Sequence, residues 1–257
     1  KEDHILLQAD YGQIEARVAL MLAQDNEQLG MVASGVDLYE AHARLTMGYN
    51  DERPMSEADP QGRQLAKARV LGLGFGCGPA KFVDVARILG GLEISLDEAT
   101  QIVRSYRKSN EGIVAAWKRL EANFAESARV PGTTKHAMPL PSGRDIVYHK
   151  PHYSDRDLAC TPILGQGTRK VYGGLLFENL VQATARDIFA DHLLKLRDLG
   201  GYYVPVLIVH DEVLLEVPID EAEEASKVLQ SVMETSPLWC DGLPITADVQ
   251  QLTQYTK

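Results

Sequence analysis

The first apolar residues of the chain predict a strand followed by a helix. Residues 5–9 form a short apolar run that ends at Asp10, which is typical of a buried strand. Apolar residues then recur at helical spacing, at Ile14, Val18, Met21 and Leu22. The sequence therefore places Asp10 at the end of a strand, shortly before a helix.

The pattern becomes mainly helical in the middle of the chain. Residues 48–62 are polar and contain two prolines, so we expect a loop there, followed by a helix over about 63–75. Ser95 and Glu98 form a capping-box signature for a helix that runs to about Ser109. This region is therefore predicted to be an assembly of helices.

A further helix and a small sheet are predicted next. The inward-facing residues of that helix are Trp117, Leu120 and Phe124, and it ends before Pro131. Residues 131–168 are rich in Pro, Gly, Ser and His, with short strands expected near 144–149.

The last part of the chain returns to a sheet pattern. A long helix over 180–199 stops at two glycines. Two apolar runs, 204–209 and 213–217, then flank a short polar break, which predicts a β-hairpin with Asp211 at its tip. Asp220 followed by Glu223 predicts a capped helix, and residues 245–249 predict a last strand. We therefore expect an α+β fold, with a body formed by both ends of the chain and a mainly helical insertion.

Composition excludes several classes of protein. The 257 residues are 45% hydrophobic and 24% charged, which argues against a disordered chain. No apolar stretch approaches the ~18 residues of a membrane span, and no signal peptide is visible. The three cysteines, Cys77, Cys160 and Cys240, fit neither a disulfide framework nor a zinc site, so a reducing cytoplasm is expected.

The charge is unevenly distributed along the chain. The net charge of −10 by itself argues against a nucleic-acid partner, since phosphates need cations. Residues 61–170, however, hold 17 Lys and Arg against 10 Asp and Glu, a balance of +7, and the remainder holds 9 against 26, a balance of −17. A basic middle between acidic ends leaves two interpretations open: chance variation of solvated faces, or a phosphate-binding region.

Two carboxylates at predicted strand ends suggest metal chemistry. A carboxylate beside apolar strands is costly unless a cation or hydrogen-bond donors compensate it. If Asp10 and Asp211 faced each other, they could hold divalent ions such as Mg²⁺, which can promote phosphoryl transfer. The alternative is that Asp10 caps the following helix and Asp211 fills a turn.

The predicted helix over 63–75 carries a face suited to phosphate. Residues four apart share one broad helical face, here Arg63, Lys67, Leu71 and Phe75. The cations would bind phosphate oxygens and the apolar end would pack on a base, whereas an ordinary amphipathic helix would show the same spacing. The alternating glycines from Gly72 to Gly78 do not form a P-loop, and favour a bent helix end or a close backbone approach.

Three ordered segments resemble the motifs of family A DNA polymerases, the DNA polymerase I-like enzymes. Motif A is similar to residues 10–17 (DYGQIEAR), and motif B to residues 63–67 (RQLAK), continuing through 71–72 (LG) and 75–76 (FG). Motif C is similar to residues 209–212 (VHDE). Residues 182–187 (QATARD) resemble the helix before motif C, and residues 140–144 (LPSGR) resemble compact phage and prophage members.

The resemblance implies a two-metal catalytic centre. Asp10 and Asp211 would bind two Mg²⁺ ions, with Mn²⁺ as a substitute, and the carbonyl of Tyr11 would be a further ligand. Glu212 would support the site without being a principal ligand. Asp10, Asp211 and Lys67 would be the catalytic residues.

It also implies residues that bind the nucleotide and DNA. Glu15 would be the steric gate against a 2′-hydroxyl, and Arg63 and Lys67 would hold the triphosphate, with Lys67 helping pyrophosphate leave. Leu71 would pack on the incoming nucleotide, and Phe75 would stack near the templating base. Two further residues would contact the template or primer, namely Gln182 and His210.

Four positions depart from the family pattern. The family usually has Ser at Gly12, Leu at Ala16, Phe at Leu71 and Tyr at Phe75. Leu71 lacks an aromatic face and Phe75 lacks a hydroxyl, whereas the metal ligands and the phosphate-binding cations are kept. The departures therefore bear on nucleotide selection more than on the reaction.

The implied architecture is a right-hand polymerase without its thumb. We expect an antiparallel-sheet palm over 1–28 and 175–257, with a mainly helical fingers subdomain over 29–174. Because the chain begins nine residues before Asp10, it is expected to be part of a longer enzyme whose thumb region is absent, with a weak grip on duplex DNA. Its expected partners are primer-template DNA and dNTPs, with no membrane, as a monomer in the cytoplasm of a bacterial or phage-infected cell.

Three rival functions remain open. A single-subunit RNA polymerase shares the architecture, and Glu15 at the gate argues for dNTPs. A two-metal nuclease would use the two aspartates but would not need Arg63 and Lys67. A DNA-binding remnant would bind DNA without extending a primer.

Overall fold

The computed structural model describes residues 3–163 and 167–255 and separates the chain into two compact units. The terminal unit consists of Lys1–Val18 and Ala183–Lys257, and the central unit consists of Ala19–Gln182. The chain therefore passes between the units at 18/19 and 182/183. The domain boundaries predicted from the sequence are 28/29 and 174/175. The assignment of palm and fingers to these regions stays a prediction.

The secondary structure is mixed, as the sequence predicts, and the α+β fold class is confirmed. The strands are β1 (His4–Tyr11), β2 (Lys135–Pro139), β3 (Asp145–Ser154), β4 (Asp157–Thr161), β5 (Arg169–Lys170), β6 (Leu207–Val209), β7 (Glu212–Pro218) and β8 (Ala247–Leu252). The helices are α1 (Ile14–Ala23), α2 (Asn26–Ala33), α3 (Leu38–Thr46), α4 (Met55–Ala58), α5 (Pro60–Ala68), α6 (Pro79–Gly90), α7 (Leu96–Ser109), α8 (Glu111–Arg129), α9 (Gly173–Leu199) and α10 (Ala222–Glu234). No helix among residues 3–163 and 167–255 is both long and apolar enough to cross a membrane.

The terminal unit is built on a four-stranded antiparallel sheet. Its strand order is β6-β7-β1-β8, so the first strand of the chain pairs with two strands from its far end. Leu7, Ala9 and Tyr11 alternate as the buried residues of β1, and α10 packs along β1 and β8. Asp10 is exposed, because the alternation turns it to the opposite face.

The central unit combines helices α2–α8 with a second antiparallel sheet of order β2-β3-β4-β5. Helix α8 packs on β3 through Phe124, whose ring meets the edges of His136 and Tyr148 at centroid distances of 5.0 and 5.6 Å. The predicted capping box is confirmed, since the Ser95 side chain accepts a bond from the backbone N–H of Glu98 and the Glu98 side chain accepts one from the backbone N–H of Ser95.

Two local predictions are wrong. The loop predicted over 48–62 contains α4 and the start of α5, because Asp59 caps α5 by accepting a bond from the N–H of Gly62 at 2.8 Å and Pro60 occupies the first helical turn. Asp220 does not cap α10, which has no side-chain cap and follows a short 3₁₀ turn over Ile219–Glu221.

A buried cluster of one arginine, one histidine and one tyrosine lies inside the central unit. Arg69 is 5% exposed, and its guanidinium stands over the ring of Tyr106 at 5.9 Å. His42 is 1% exposed and its ring lies 5.7 Å from Tyr106. Burial, and then the charge of Arg69, lowers the pKa of His42 from 6.5 to about 3. His42 is therefore neutral in the folded protein throughout the range in which an exposed histidine gains its proton.

This cluster predicts acid sensitivity of the central unit. Below the unfolded pKa of 6.5 the unfolded chain binds a proton that folded His42 refuses until about pH 3, so stability falls as pH falls across that window. The slope is about 1.4 kcal/mol per pH unit. We expect His42→Gln to make the stability–pH curve shallower by about that amount between pH 6 and 4. Urea unfolding followed by Trp117 fluorescence in a Trp239→Phe background measures it, and an unchanged slope would contradict the assignment.

Candidate functional site

Carboxylates converge at one end of the terminal-unit sheet. Asp10 of β1 is directly opposite Asp248 of β8 in the strand register, so the two side chains share a face, with Cβ atoms about 5 Å apart. On the other side of β1, the last registered pair with β7 is Ala9 with Val213. Glu212 is one residue beyond that pair and is therefore the neighbour of Asp10 across the strands.

Asp211 sits in the predicted hairpin, which the structure confirms. Val209 pairs with Glu212, so the loop has two residues, His210 and Asp211. His210 adopts a positive φ of 56°, as tight hairpin turns require. Its carbonyl accepts a bond from the Arg186 guanidinium at 3.3 Å, which links the turn to α9. The turn that presents Asp211 is thus fixed from both strands and from a helix.

Glu212 is a buried carboxylate. It is 5% exposed, and its Oε2 accepts a bond from Gln8 Nε2 at 2.7 Å. Its Oε1 is buried and makes no hydrogen bond of regular geometry with a described residue, and it lies near the Tyr255 hydroxyl: burial, then the hydrogen bond with Glu212, raises the pKa of Tyr255. A buried acceptor of this kind is costly unless a cation or a donor completes it.

The donor set fits a magnesium ion. Within residues 3–163 and 167–255, no group of three or more His, Cys, Asp or Glu side chains is arranged to hold a metal. Mg²⁺, however, is usually held by one or two carboxylates and keeps its other positions for water and substrate phosphates. Carboxylate and carbonyl oxygens are hard donors, the kind of atom that such an ion binds.

Tyr11 connects this end of the sheet to a buried histidine. The Tyr11 hydroxyl meets Nδ1 of His192, and Nε2 of His192 bonds to the carbonyl of Thr235 at 2.8 Å. Because the carbonyl can only accept, Nε2 carries the proton, and Nδ1 accepts from the Tyr11 hydroxyl. Burial, then the charges of Asp211 and Asp191, raises the pKa of Tyr11, and burial lowers the pKa of His192. Both groups are therefore neutral and the pair is fixed in one direction.

The turn after β1 is held by a second set of contacts. Buried Arg17 donates to the carbonyls of Gly12 at 2.7 Å and Pro244 at 2.8 Å. A Cβ at Gly12 would lie 2.6 Å from Oγ1 of Thr246, whose carbonyl accepts the Gly12 N–H at 2.9 Å. Glycine at this position thus makes room for Thr246, which gives a physical reason for the departure from the usual serine.

The central unit presents the phosphate-binding candidates. Arg63 pairs with Asp37, the N-cap residue of α3, at 2.8 Å, and its guanidinium stands over the ring of Tyr39 at 5.3 Å. Lys67 is half-buried one turn later and makes no ion pair with another described residue. The two cations on α5 therefore differ: Arg63 is oriented by a partner, and Lys67 keeps its charge available.

The helix does not continue regularly to residue 75. The α-helical pattern ends at Ala68, a π-helical turn covers Arg69–Leu73, and Phe75 follows in a turn. The π turn shifts the phase of the face, so the strict four-residue spacing to Leu71 and Phe75 does not hold. The carbonyl of Gly74 accepts the indole N–H of Trp117 at 3.0 Å. A bent helix end, which the glycine pattern favours, is thus confirmed.

A close backbone approach follows that bend. Gly76 has a φ of 83°, and a Cβ on Gly174 would lie 2.3 Å from the carbonyl oxygen of Phe75. The ring of Phe75 lies 6.2 Å from that of Phe177. The glycines therefore allow the turn after the π segment to pack against the start of α9.

The structure places the remaining candidates on three different elements. Glu15 is half-buried in the first turn of α1, Gln182 is exposed on α9, and His210 is exposed in the hairpin. Sequence reasoning missed His192 and Asp248. Neither carries a local signal, because each gains its meaning from a partner more than 180 positions away in the chain.

These groups define a class of protein. The terminal unit has carboxylate oxygens at the ends of neighbouring strands. The central unit has an arginine and a lysine on one helix. Hard oxygen donors and cations are the side chains that phosphoryl-transfer chemistry uses, and the two units, each taken by itself, are compatible with that class.

Comparison with known proteins identifies the family. The model of DNA polymerase family A matches residues 1–256, and the chain belongs to that family. A DNA polymerase of Bacillus phage SP02 is 32% identical over 93% of this chain and 39% of its own length. DNA polymerase I of Aquifex aeolicus is 27% identical over 92% of the chain and 36% of its own length.

A solved structure has the same fold. The polymerase domain of Pol1 from M. smegmatis, in complex with DNA primer-template and dNTP, matches with a TM-score of 0.71 and 22% identity, over 98% of this chain and 40% of that one. The chain thus spans about two fifths of the length of the proteins it resembles.

The Tyr11–His192 bond predicts a measurable coupling. Tyr11→Phe leaves buried Nδ1 without a donor, so we expect a loss of about 1–3 kcal/mol of unfolding free energy. The double variant with His192→Leu should lose less than the sum of the single losses, by about 1 kcal/mol. Urea unfolding gives these values. Tyr172→Phe, at an exposed hydroxyl, is the control, and strict additivity would count against the bond.

Proposed function

We propose that this chain carries the catalytic residues of template-directed DNA synthesis, in which dNTPs are added to a primer 3′-OH. The observation that supports this most strongly is a match to DNA polymerase family A over residues 1–256, in a chain that keeps the Asp10 and Asp211 carboxylates at adjoining strand ends. The proposal adds to the family assignment a specific reaction and a role for each site residue.

The reaction is an in-line displacement at phosphorus. The primer 3′-oxygen forms a bond to the α-phosphorus of the dNTP, the bond from that phosphorus to the bridging oxygen of the β-phosphate breaks, and pyrophosphate leaves. The proton of the 3′-hydroxyl passes to solvent. Two divalent ions, when bound, lower the pKa of the attacking hydroxyl and stabilise charge on the attacking and leaving oxygens.

Asp10 and Asp211 hold those ions, with the carbonyl of Tyr11 as a further ligand. Mg²⁺ suits this oxygen set, and Mn²⁺ can replace it. Glu212 supports the site through its bond with Gln8, which holds the carboxylate beside the end of β1. The chain's own contribution is rigid placement, since these carboxylates sit on paired strands and in a two-residue turn.

Arg63 and Lys67 bind the triphosphate. The Arg63–Asp37 pair is about one quarter to one third exposed, and ion pairs of that exposure contribute ~1 kcal/mol or less. A triphosphate of higher charge can therefore compete for the guanidinium, while Lys67 neutralises the departing pyrophosphate.

Four further positions complete the assignment. Glu15 excludes a 2′-hydroxyl and so selects dNTPs over rNTPs, and Leu71 packs on the incoming nucleotide. Phe75 stacks near the templating base. The last group contacts the DNA backbone or minor groove, and consists of Gln182 and His210.

The metal role of Asp211 is tested by removing its carboxylate. In the intact, thumb-containing enzyme, Asp211→Asn or Asp211→Ala should reduce primer extension with Mg²⁺ by at least about 10²–10³-fold, because a ligand that acts on the transition state is lost. Thermal unfolding should stay as in the unmodified protein. Asp220→Asn, an exposed aspartate of the same unit, should extend normally. Retained extension by the Asp211 variants would refute the metal role.

The role of Lys67 predicts a kinetic effect on the nucleotide. Lys67→Ala should raise the KM for dNTP or lower kcat, with kcat/KM reduced by about tenfold or more for a lost charge-assisted phosphate contact. Lys81→Ala, at an exposed lysine of α6, serves as the matched control. Steady-state extension over a range of dNTP concentrations measures both constants. If KM and kcat of the Lys67 variant equal those of the unmodified protein, Lys67 does not bind the triphosphate.

A further inference from the structure

A concave surface of the central unit carries both cations and exposed aromatic rings. It lies between α8, the turn joining β3 to β4, and the segment that follows β5, and encloses about 410 Å³. We call it the tyrosine groove, and its defining residues are Lys118, Arg129, Tyr153, Arg156, Lys170 and Tyr172. None of them belongs to the polymerase motifs described above.

The groove has an excess of available positive charge. Two carboxylates also line it, and both are engaged: Glu121 accepts the N–H of Gly173 at 2.7 Å, and Asp157 pairs with Lys170 at 2.7 Å. The other three cations, Lys118, Arg129 and Arg156, are exposed and make no ion pair with a described residue. Four cations against two carboxylates leave a balance of +2, with the free charges on the rim.

Its tyrosines are placed as binding groups rather than as core. Tyr153 is 44% exposed and Tyr172 is 42% exposed, whereas Leu158 and Val171, which also line the groove, are buried. Exposed aromatic rings beside an apolar floor offer a flat surface on which a base can stack.

The two features together select a class of ligand. Proteins that bind single-stranded nucleic acid combine cations that follow the phosphates with aromatic rings on which bases stack. An acidic peptide would use the cations but would not need the rings, and an apolar ligand would use the rings but not the cations. The groove volume lies within the range of pockets that enclose a ligand of nucleotide size.

The arrangement on α8 suits a strand that passes along the groove. Lys118, Ala122, Ala125 and Arg129 recur at spacings of four, three and four, so two cations flank two small residues on one helical face. The small residues leave room for a base, and the cations are separated by about 16 Å along the helix, the reach of a few nucleotides.

We propose that the tyrosine groove binds single-stranded nucleic acid, with a base stacked on Tyr153 or Tyr172 and phosphates along Lys118, Arg129 and Arg156. The biological ligand, an unpaired stretch of template, rests on the proposed polymerase function. The binding itself needs neither the metal site nor catalysis, so the two proposals can fail separately.

The test is binding of a fluorescent oligothymidylate of about 20 nucleotides, longer than one such site, to the full chain by fluorescence anisotropy. The variant Lys118→Gln/Arg129→Gln should raise Kd by about tenfold, and should reduce the slope of log K against log salt by about 1.4, since each phosphate contact on a single strand accounts for about 0.7. The matched control is Arg104→Gln/Lys108→Gln, two exposed cations on α7, which should bind as the unmodified chain does.

The aromatic contribution has a different signature. Tyr153→Leu/Tyr172→Leu should weaken binding by at least about fivefold, as expected for lost stacking, and should leave the salt slope unchanged. Loss with the cation variant alone, together with competition by polyglutamate, would identify an acidic peptide site and overturn the proposal. Equal binding by groove and control variants would overturn it as well.

A primer-template pair separates this proposal from the polymerase assignment. Groove variants should lose affinity for a primer-template with a long 5′ overhang and keep their affinity for a blunt duplex. If an intact, thumb-containing enzyme does not extend the primer but these differences persist, the polymerase proposal fails and the groove proposal stands. If primer extension is normal and the groove variants bind the overhang DNA as tightly as the unmodified protein does, the groove proposal alone fails.

Discussion

The terminal unit is constrained by several carboxylates that its apolar sheet holds close together at one end of its strands. Asp10 and Asp248 are opposed in the register, and Glu212 follows on the next strand. Like charges directly across strands destabilise a sheet and favour separation of the two strand ends. The rest of the register opposes that separation, because Leu7, Leu215 and their neighbours are buried on the other face. A divalent cation would convert the same repulsion into binding energy.

The supports behind that edge are of a different kind. Tyr11 and His192 are buried neutral groups bonded in one direction, and Arg17 ties the turn after β1 to the loop before β8. Removing water and fixing dipoles in advance is how proteins place charged ligands accurately. The buried apolar side chains of the strands stabilise the sheet, and the buried polar contacts fix the orientation of the turn after β1.

Sequence patterns predicted features that are local in the chain. The capping box of α7 and the hairpin around His210 each depend on residues within a few positions, and both are confirmed. The π-helical turn after α5 was not predictable from spacing, since it depends on Trp117 and on packing against α6. His192 and Asp248 were missed because their partners are distant in sequence. The site roles came from motif resemblance, and they stay predictions until the metal and nucleotide are located.

The location of the metal tests the central claim most directly. Fe²⁺ in place of Mg²⁺, with ascorbate and peroxide, produces hydroxyl radicals that cut the polypeptide next to the bound ion. If Asp10 and Asp211 hold the ion, cuts should fall within residues 9–12 and 210–213, disappear in Asp10→Asn, and be suppressed by excess Mg²⁺. Cuts elsewhere, or cuts at these segments that persist in Asp10→Asn, would contradict the assignment.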